Sequence, residues 1–207
     1  MSEPLKITLL GATGAVGRLY LDLALNAGYQ VVALVRDSAK LEQRDGLTII
    51  QGDTKNADDV AAATVDVNVI VSCVGETKEG PVMELTARSV LAAARTQESP
   101  PKTIFISSLG CGGTSWIVKL LSILMGGRQV FDDYNKADAL ISNEQTVPYV
   151  LVRPTGLTDE AATGKYAVYK SGVTFVKRIS RSDMAQFLFD ATTKNDWDGQ
   201  GGFQLGG

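Results

Sequence analysis

Short apolar runs alternate with stretches in which apolar residues return every three or four positions, almost from end to end of the chain. Residues 5–10 are mostly apolar and read as a strand buried on both faces of a parallel sheet. Val16, Leu19 and Leu23 then recur at helical spacing. The same reading predicts strands at Gln30–Val35, Leu47–Gln51, 67–74, 103–107 and 149–152. It predicts helices over 58–63, 83–97 and 130–143. Met83, Ala87, Val90, Leu91 and Ala94 form one face of the 83–97 helix, which stops before Pro100 and Pro101. In the 130–143 helix, Phe131, Ala137, Leu140 and Ile141 are spaced for burial, with Lys136 off that stripe. Residues 165–170 and 173–179 alternate around Gly172 like a small hairpin, Ser180 to Asp183 cap a last helix, and the tail GGFQLGG adds a short strand. Strands and helices in this alternation define an α/β fold, a doubly wound parallel sheet between two helical layers, with a small C-terminal substrate region.

The first strand runs into Gly11, Gly14 and Gly17 before the first helix begins. Glycine permits positive φ, close approach of a phosphate to the backbone, and close packing of helix on strand. The first turn of that helix aims unpaired N–H groups at the same turn, which makes it an anion site suited to a dinucleotide pyrophosphate. A plain turn would use glycines too. A P-loop would not fit, because no Lys followed by Ser or Thr comes after Gly17.

Composition narrows the chemistry. The chain has 207 residues and no histidine, so an imidazole base, a Ser-His-Asp triad and histidine metal sites are excluded. No metal site is expected. That length suits one domain over residues 1–207. A net charge of −3 gives no footprint for nucleic acid or an anionic membrane surface. The start, MSEPLK, has no signal-peptide pattern, so a cytoplasmic protein is expected, with Cys73 and Cys111 reduced. Residues 115–127, SWIVKLLSILMGG, are apolar on nearly every side but far shorter than the roughly 20 residues of a membrane span. They suit a buried helix, a wall of the substrate pocket, or an interface through which the chain could form an oligomer.

Ligands of such sheets lie beyond the carboxyl ends of the strands. Arg36, 19 residues past Gly17, ends the second strand where the adenosine ribose is read. A carboxylate there suits NAD and an arginine NADP. With Ser38 and Lys40, Arg36 can converge on a 2′-phosphate, although Asp37 stands between them and surface charges are common. Asp53 falls near the adenine or caps the next helix, and Ser72, Cys73, Val74 and Gly75 fall near the ribose and pyrophosphate. Ser107 and Ser108 can hydrogen-bond a substrate carbonyl or cap their own turn.

Taken in order, GATGAVG at 11–17, VVALVRDSAK at 31–40, QGD at 51–53, FISSLG at 105–110, the Lys136 helix, VRPTGLTD at 152–159 and ISRSDMAQFL at 179–188 resemble the atypical short-chain dehydrogenase/reductases of the NmrA-like and flavin or biliverdin reductase-like branch. That resemblance covers nearly the whole chain. It implies a Rossmann sheet binding NADP(H), with Gly11, Thr13, Gly14, Ala15 and Val16 on the pyrophosphate, Arg36 on the 2′-phosphate and Asp53 at the adenine. It also implies Ser108 and Lys136 as catalytic residues at the nicotinamide end, and the backbone around Pro154, Thr155 and Leu157 on the carboxamide. One departure is chemical. Related reductases use Tyr-x-x-x-Lys, but the residue four before Lys136 is Asp132, and Tyr134 lies roughly 200° around the helix from Lys136. Without that acid two functions stay open. One is a hydride transfer from NADPH to a flat conjugated acceptor, such as a flavin or quinone, with the proton from solvent or Ser108. The other is a cofactor sensor acting through a protein partner. An isomerase or dehydratase of nucleotide sugars fits less well, since it needs that tyrosine and a larger C-terminal region.

Overall fold

At Gly11 the chain leaves the sheet with φ +80°, and this turn sets the lengths of the strands around it. The computed structural model describes residues 3–75, 80–112, 116–169 and 177–207. Its first half contains β1 (Lys6–Leu10), α1 (Ala15–Asn26), β2 (Gln30–Val35), a 3-10 turn at Ser38–Lys40, β3 (Leu47–Gln51), α2 (Ala57–Ala63), β4 (Val69–Ser72), α3 (Met83–Arg95) and β5 (Lys102–Ile106). The second half contains α4 (Trp116–Gly126), α5 (Arg128–Ser142), β6 (Tyr149–Pro154), β7 (Leu157–Thr158), β8 (Ala167–Tyr169), β9 (Ile179–Ser180), α6 (Arg181–Thr193) and β10 (Gly202–Gly206).

Among the described residues eight strands form one sheet in the order β3-β2-β1-β4-β5-β6-β10-β8. All neighbours are parallel except β8, which runs antiparallel to β10. The chain moves outward from β1 to β3 and then returns to place β4 on the other side of β1. That reversal opens a crevice at the carboxyl ends of β1 and β4.

Successive side chains on a strand point to opposite faces, so Leu9 and Leu10 enter different cores. Leu9 joins Val31, Val152, Phe187 and Leu205 beneath α1 and α6. Leu10 joins Ile70, Val90, Phe105 and Ile141 beneath α2, α3 and α5. The doubly wound, three-layer arrangement follows directly from central strands apolar on both sides.

Three sequence expectations need adjustment. β4 spans Val69–Ser72 rather than 67–74; at its carboxyl end β1 turns away at Gly11, and one further bond, from Cys73 N–H to the Leu10 carbonyl, closes the ladder at 2.9 Å. The predicted hairpin around Gly172 falls largely on residues 170–176, outside the described residues; of its flanks, β8 pairs with β10 and β9 pairs with β7. Within the stretch 115–127, Trp116–Gly126 form a helix, α4, but it is not a buried one. Trp116 and Leu124 are each 72% exposed, with Ile117 and Leu120 about half exposed, while Val118 points inward. The last helix is capped as its sequence predicts: Ser180 Oγ accepts the Asp183 N–H at 3.0 Å. Asp183 also takes the N–H groups of Thr163 and Gly164, at 2.9 and 3.0 Å, which ties the preceding loop to the helix start.

Candidate cofactor site

The three glycines of the first turn do three different jobs. A Cβ on Gly11 would stand 2.7 Å from the Cys73 carbonyl oxygen, so this glycine lets β1 turn against the end of β4. A Cβ on Gly17 would stand 2.1 Å from the Gly11 carbonyl oxygen, so α1 can press onto the turn only without a side chain there. Gly14 is different. Its nearest obstacle lies 3.2 Å away, and it faces the crevice as the N-cap of α1, with no side-chain cap and no acidic residue in the first helical turn. The positive end of the helix is left uncompensated toward the crevice, as an anion-binding turn requires.

The crevice is lined by Gly11, Thr13 and Gly14 from this turn, Val35 and Arg36 from the end of β2, Gly52 to Lys55 after β3, Cys73 to Gly75 after β4, and Val82 before α3. Of the residues expected at the cofactor, the structure therefore brings together Gly11, Thr13, Gly14, Arg36, Asp53, Cys73, Val74 and Gly75. Burial pushes the Cys73 thiol up to about 12, so it is a neutral wall of the cleft. Asp53 accepts the Lys55 N–H at 3.0 Å, a local turn that keeps its carboxylate at the rim. Asp37 accepts the Ala39 N–H at 3.1 Å and lies 3.8 Å from the Lys40 ammonium. Its charge is held in its own turn. Ser38 donates to Gln51 at 3.1 Å, and neither Ser38 nor Lys40 lines the cleft, because the 3-10 turn carries both outward.

Other expected residues lie elsewhere. Ala15 is exposed, and Val16 sends its side chain into the core below α1. Ser107 is buried, with its hydroxyl donated to Asp138 at 2.7 Å, and so it does not reach outward as a substrate donor. Ser108 is half-buried, its hydroxyl 3.4 Å from the Leu109 carbonyl. Pro154, Thr155 and Leu157 are not among the cleft residues. The Thr155 N–H and hydroxyl are donated to Leu205 and Lys177, which fastens this stretch to the sheet end. Lys136 is 65% exposed on α5, sits 3.4 Å from Glu84 and is not among the cleft residues. Glu84 is held below the usual carboxylate range by its bond from Arg88, with Lys136 adding to it.

The helical offset between Tyr134 and Lys136 holds, with the two on different sides of α5. Tyr134 is the residue turned inward. It packs against the core under α3 and α5, and its hydroxyl lies 3.8 Å from where a Cβ on Gly75 would be. Two further residues lacked a sequence signal. Arg18 donates to the carbonyls of Thr13 and Lys40, at 3.1 and 3.0 Å, and so braces the glycine turn against the 3-10 turn. Asp133 accepts the N–H groups of Val82, Met83 and Glu84 at 2.8–2.9 Å, capping α3 beside the cleft.

A switch-point crevice with a glycine turn, an uncapped helix start and a basic residue after β2 defines a Rossmann-type dinucleotide-binding protein. The chain belongs to the NAD(P)H-binding family, whose sequence pattern matches residues 11–195. It is 28% identical over 120 residues to eugenol synthase 1 of Petunia hybrida and 27% identical over 120 residues to phenylcoumaran benzylic ether reductase TP7 of Nicotiana tabacum. Each alignment spans 53% of this chain and 37% of the relative. Over nearly its whole length the fold is similar to the anaerobillin reductase ChuY of Escherichia coli O157:H7, at 25% identity and a TM-score of 0.79, covering 97% of this chain and 96% of that one. A short-chain dehydrogenase/reductase of Veillonella parvula solved with NADP shares the fold at 17% identity and a TM-score of 0.79, over 99% of this chain and 95% of that one. Among the described residues no helix is long and apolar enough to cross a membrane.

Proposed function

We propose that this protein is an NADPH-dependent reductase that delivers a hydride to a flat conjugated acceptor, a flavin, a quinone or a molecule of that kind. The observation that carries the reading is the cleft itself: Gly14 and the bare start of α1 at one point, Arg36 at another, and Gly75 at the far end. When bound, the reduced nicotinamide supplies the hydride. The chain binds and orients. Gly11 to Gly14 would take the pyrophosphate on backbone N–H groups, with Arg18 keeping that turn rigid. Arg36 would take the 2′-phosphate, and the carboxylate of Asp37, the group that would favour NAD, is engaged in its own turn. Asp53 would border the adenine. The reductase reading is further supported by the similarity to an anaerobillin reductase over both whole chains. A conjugated acceptor delocalises the incoming charge, so a proton from solvent, or from the hydroxyls of Ser108 or Tyr134, suffices.

The cofactor half of this reading predicts that NADPH binds more tightly than NADH by about tenfold or more, and that Arg36→Ala removes most of the gap. Equal dissociation constants by calorimetry would refute it. The chemical half is tested by steady-state oxidation of NADPH against a panel of flavins and quinones, for wild type, Ser108→Ala and Tyr134→Phe. The variant that loses kcat at unchanged NADPH affinity identifies the proton donor. A second reading, a cofactor sensor acting through a protein partner, is favoured by one observation, the exposed apolar side of α4. Tight NADPH binding with no turnover of any acceptor would select it.

A further inference from the structure

At the end of β5 a buried charge pair joins α5 to β6 and, through its further bonds, reaches Ser107 and β10. Asp138 and Arg153 are 2% and 3% exposed. Arg153 donates through Nε to Asp138 Oδ2 at 2.8 Å and through Nη2 to Oδ1 at 2.6 Å, a two-pronged contact, and through Nη1 to the Gly202 carbonyl at 2.7 Å. Ser107 adds its hydroxyl to Asp138 Oδ2 at 2.7 Å. The guanidinium fills the space beside two glycines: a Cβ on Gly112 or Gly202 would stand 2.2 or 2.1 Å from it. The turn 107–112, which carries Ser108, is thus bonded to the ion pair through Ser107 at one end and packs against the guanidinium at Gly112 at the other.

Filling this space with apolar side chains would usually stabilise a protein as much or more. What the pair adds is direction. A forked contact fixes the carboxylate plane, and that plane fixes the Ser107 hydroxyl.

We infer that Asp138 and Arg153 are positioning residues, which hold the 107–112 turn, and with it Ser108, in the arrangement the reacting end requires. The catalytic consequence rests on the reductase reading above; the positional claim does not. Cys111, fully buried in this turn, reports on it, and Cys73, part-buried in the wall of the cleft, reports on the cofactor side of the site.

The test uses the full chain. Iodoacetamide labelling of Cys111 and Cys73 is followed by peptide mass spectrometry in wild type, Arg153→Lys and Asp138→Asn, together with NADPH titration and turnover of a flavin acceptor. Ser107→Ala, which leaves the ion pair in place and removes only the hydroxyl, keeps the test open should the charge variants fail to fold. Arg153→Lys keeps the charge and loses the fork. Each variant is expected to label Cys111 about tenfold faster, with Cys73 labelling and NADPH affinity within about twofold of wild type and kcat down about tenfold. Cys111 and Cys73 accelerating together would mark the pair as merely structural and overturn the inference, as would an unchanged Cys111 rate. If wild type turns over no acceptor, the reductase reading falls, and the ratio of the two labelling rates still decides whether the pair holds the turn.

Discussion

At the scale of single residues, the glycine turn separates what holds the fold from what admits a ligand. A methyl group on Gly17 meets backbone, which cannot swing away, so Gly17→Ala must lift α1 off the turn. The expected cost is about 3 kcal/mol or more, the range of an overpacked or strained core position. Gly14→Ala meets one atom at 3.2 Å and leaves the fold nearly as stable, but it puts a methyl group where a pyrophosphate would approach. Thermal unfolding is expected to single out Gly17→Ala, while a titration with NADPH singles out Gly14→Ala with a loss of about tenfold. The opposite ranking would overturn both assignments. The spacing of the glycines is plain in the sequence because the motif is local. Their separate jobs are not, because that of Gly11 depends on Cys73, from the distant β4, and those of Gly14 and Gly17 on how the turn folds back over the start of α1.

At the scale of elements, periodicity recovers each central strand and each long helix to within a few residues, since a buried strand or an amphipathic helix writes its own pattern. It does not reveal how one element finishes another. The residues before α3 offer no side-chain cap of their own, and its N-cap is Val82. The cap comes instead from Asp133 on α5, which takes three N–H groups at once. Nothing local could have placed a carboxylate fifty positions downstream at that helix start. Asp133→Ala is expected to lower stability by about 2 kcal/mol, more than an ordinary cap because three part-buried donors lose their partner, with Asp133→Asn intermediate. Urea denaturation of the two variants checks that order. α4 resisted for another reason. Its apolar sequence resembles that of a core helix, yet its apolar side faces outward, and composition alone cannot tell which side has a neighbour. Lys136 and Tyr134 illustrate the same limit, because a helical wheel separates them by angle without saying which one the sheet covers.

At the scale of the whole molecule, the absence of histidine shapes how stability depends on pH. Burial alone would raise Glu144, but its hydrogen bonds from Thr146, with Arg95 and Val147, outweigh that effect and hold its carboxyl at about 2. Asp183 is also held below its ordinary range: burial opposes the shift, and the bonds from Thr163, Ser180 and Gly164 carry it. A carboxyl depressed on folding contributes stability that is complete above its unfolded value, near 4.5 for Glu144, and is lost as pH falls toward its folded value. The thiols of Cys73 and Cys111 are shifted the other way by burial, to about 12 and about 11, so their contribution is lost only as pH climbs above 9. Between these limits no side chain has its ordinary titration near neutrality, and the urea midpoint is expected to stay flat from about pH 5.5 to 8. Below that plateau Glu144 alone accounts for a loss of about 3 kcal/mol at most. Glu144→Gln should therefore start from a lower plateau and fall more gently in acid, converging on wild type near the folded value of Glu144. Parallel curves that keep the same separation down to acid pH would mean that the loop from α5 to β6 does not depend on that charge.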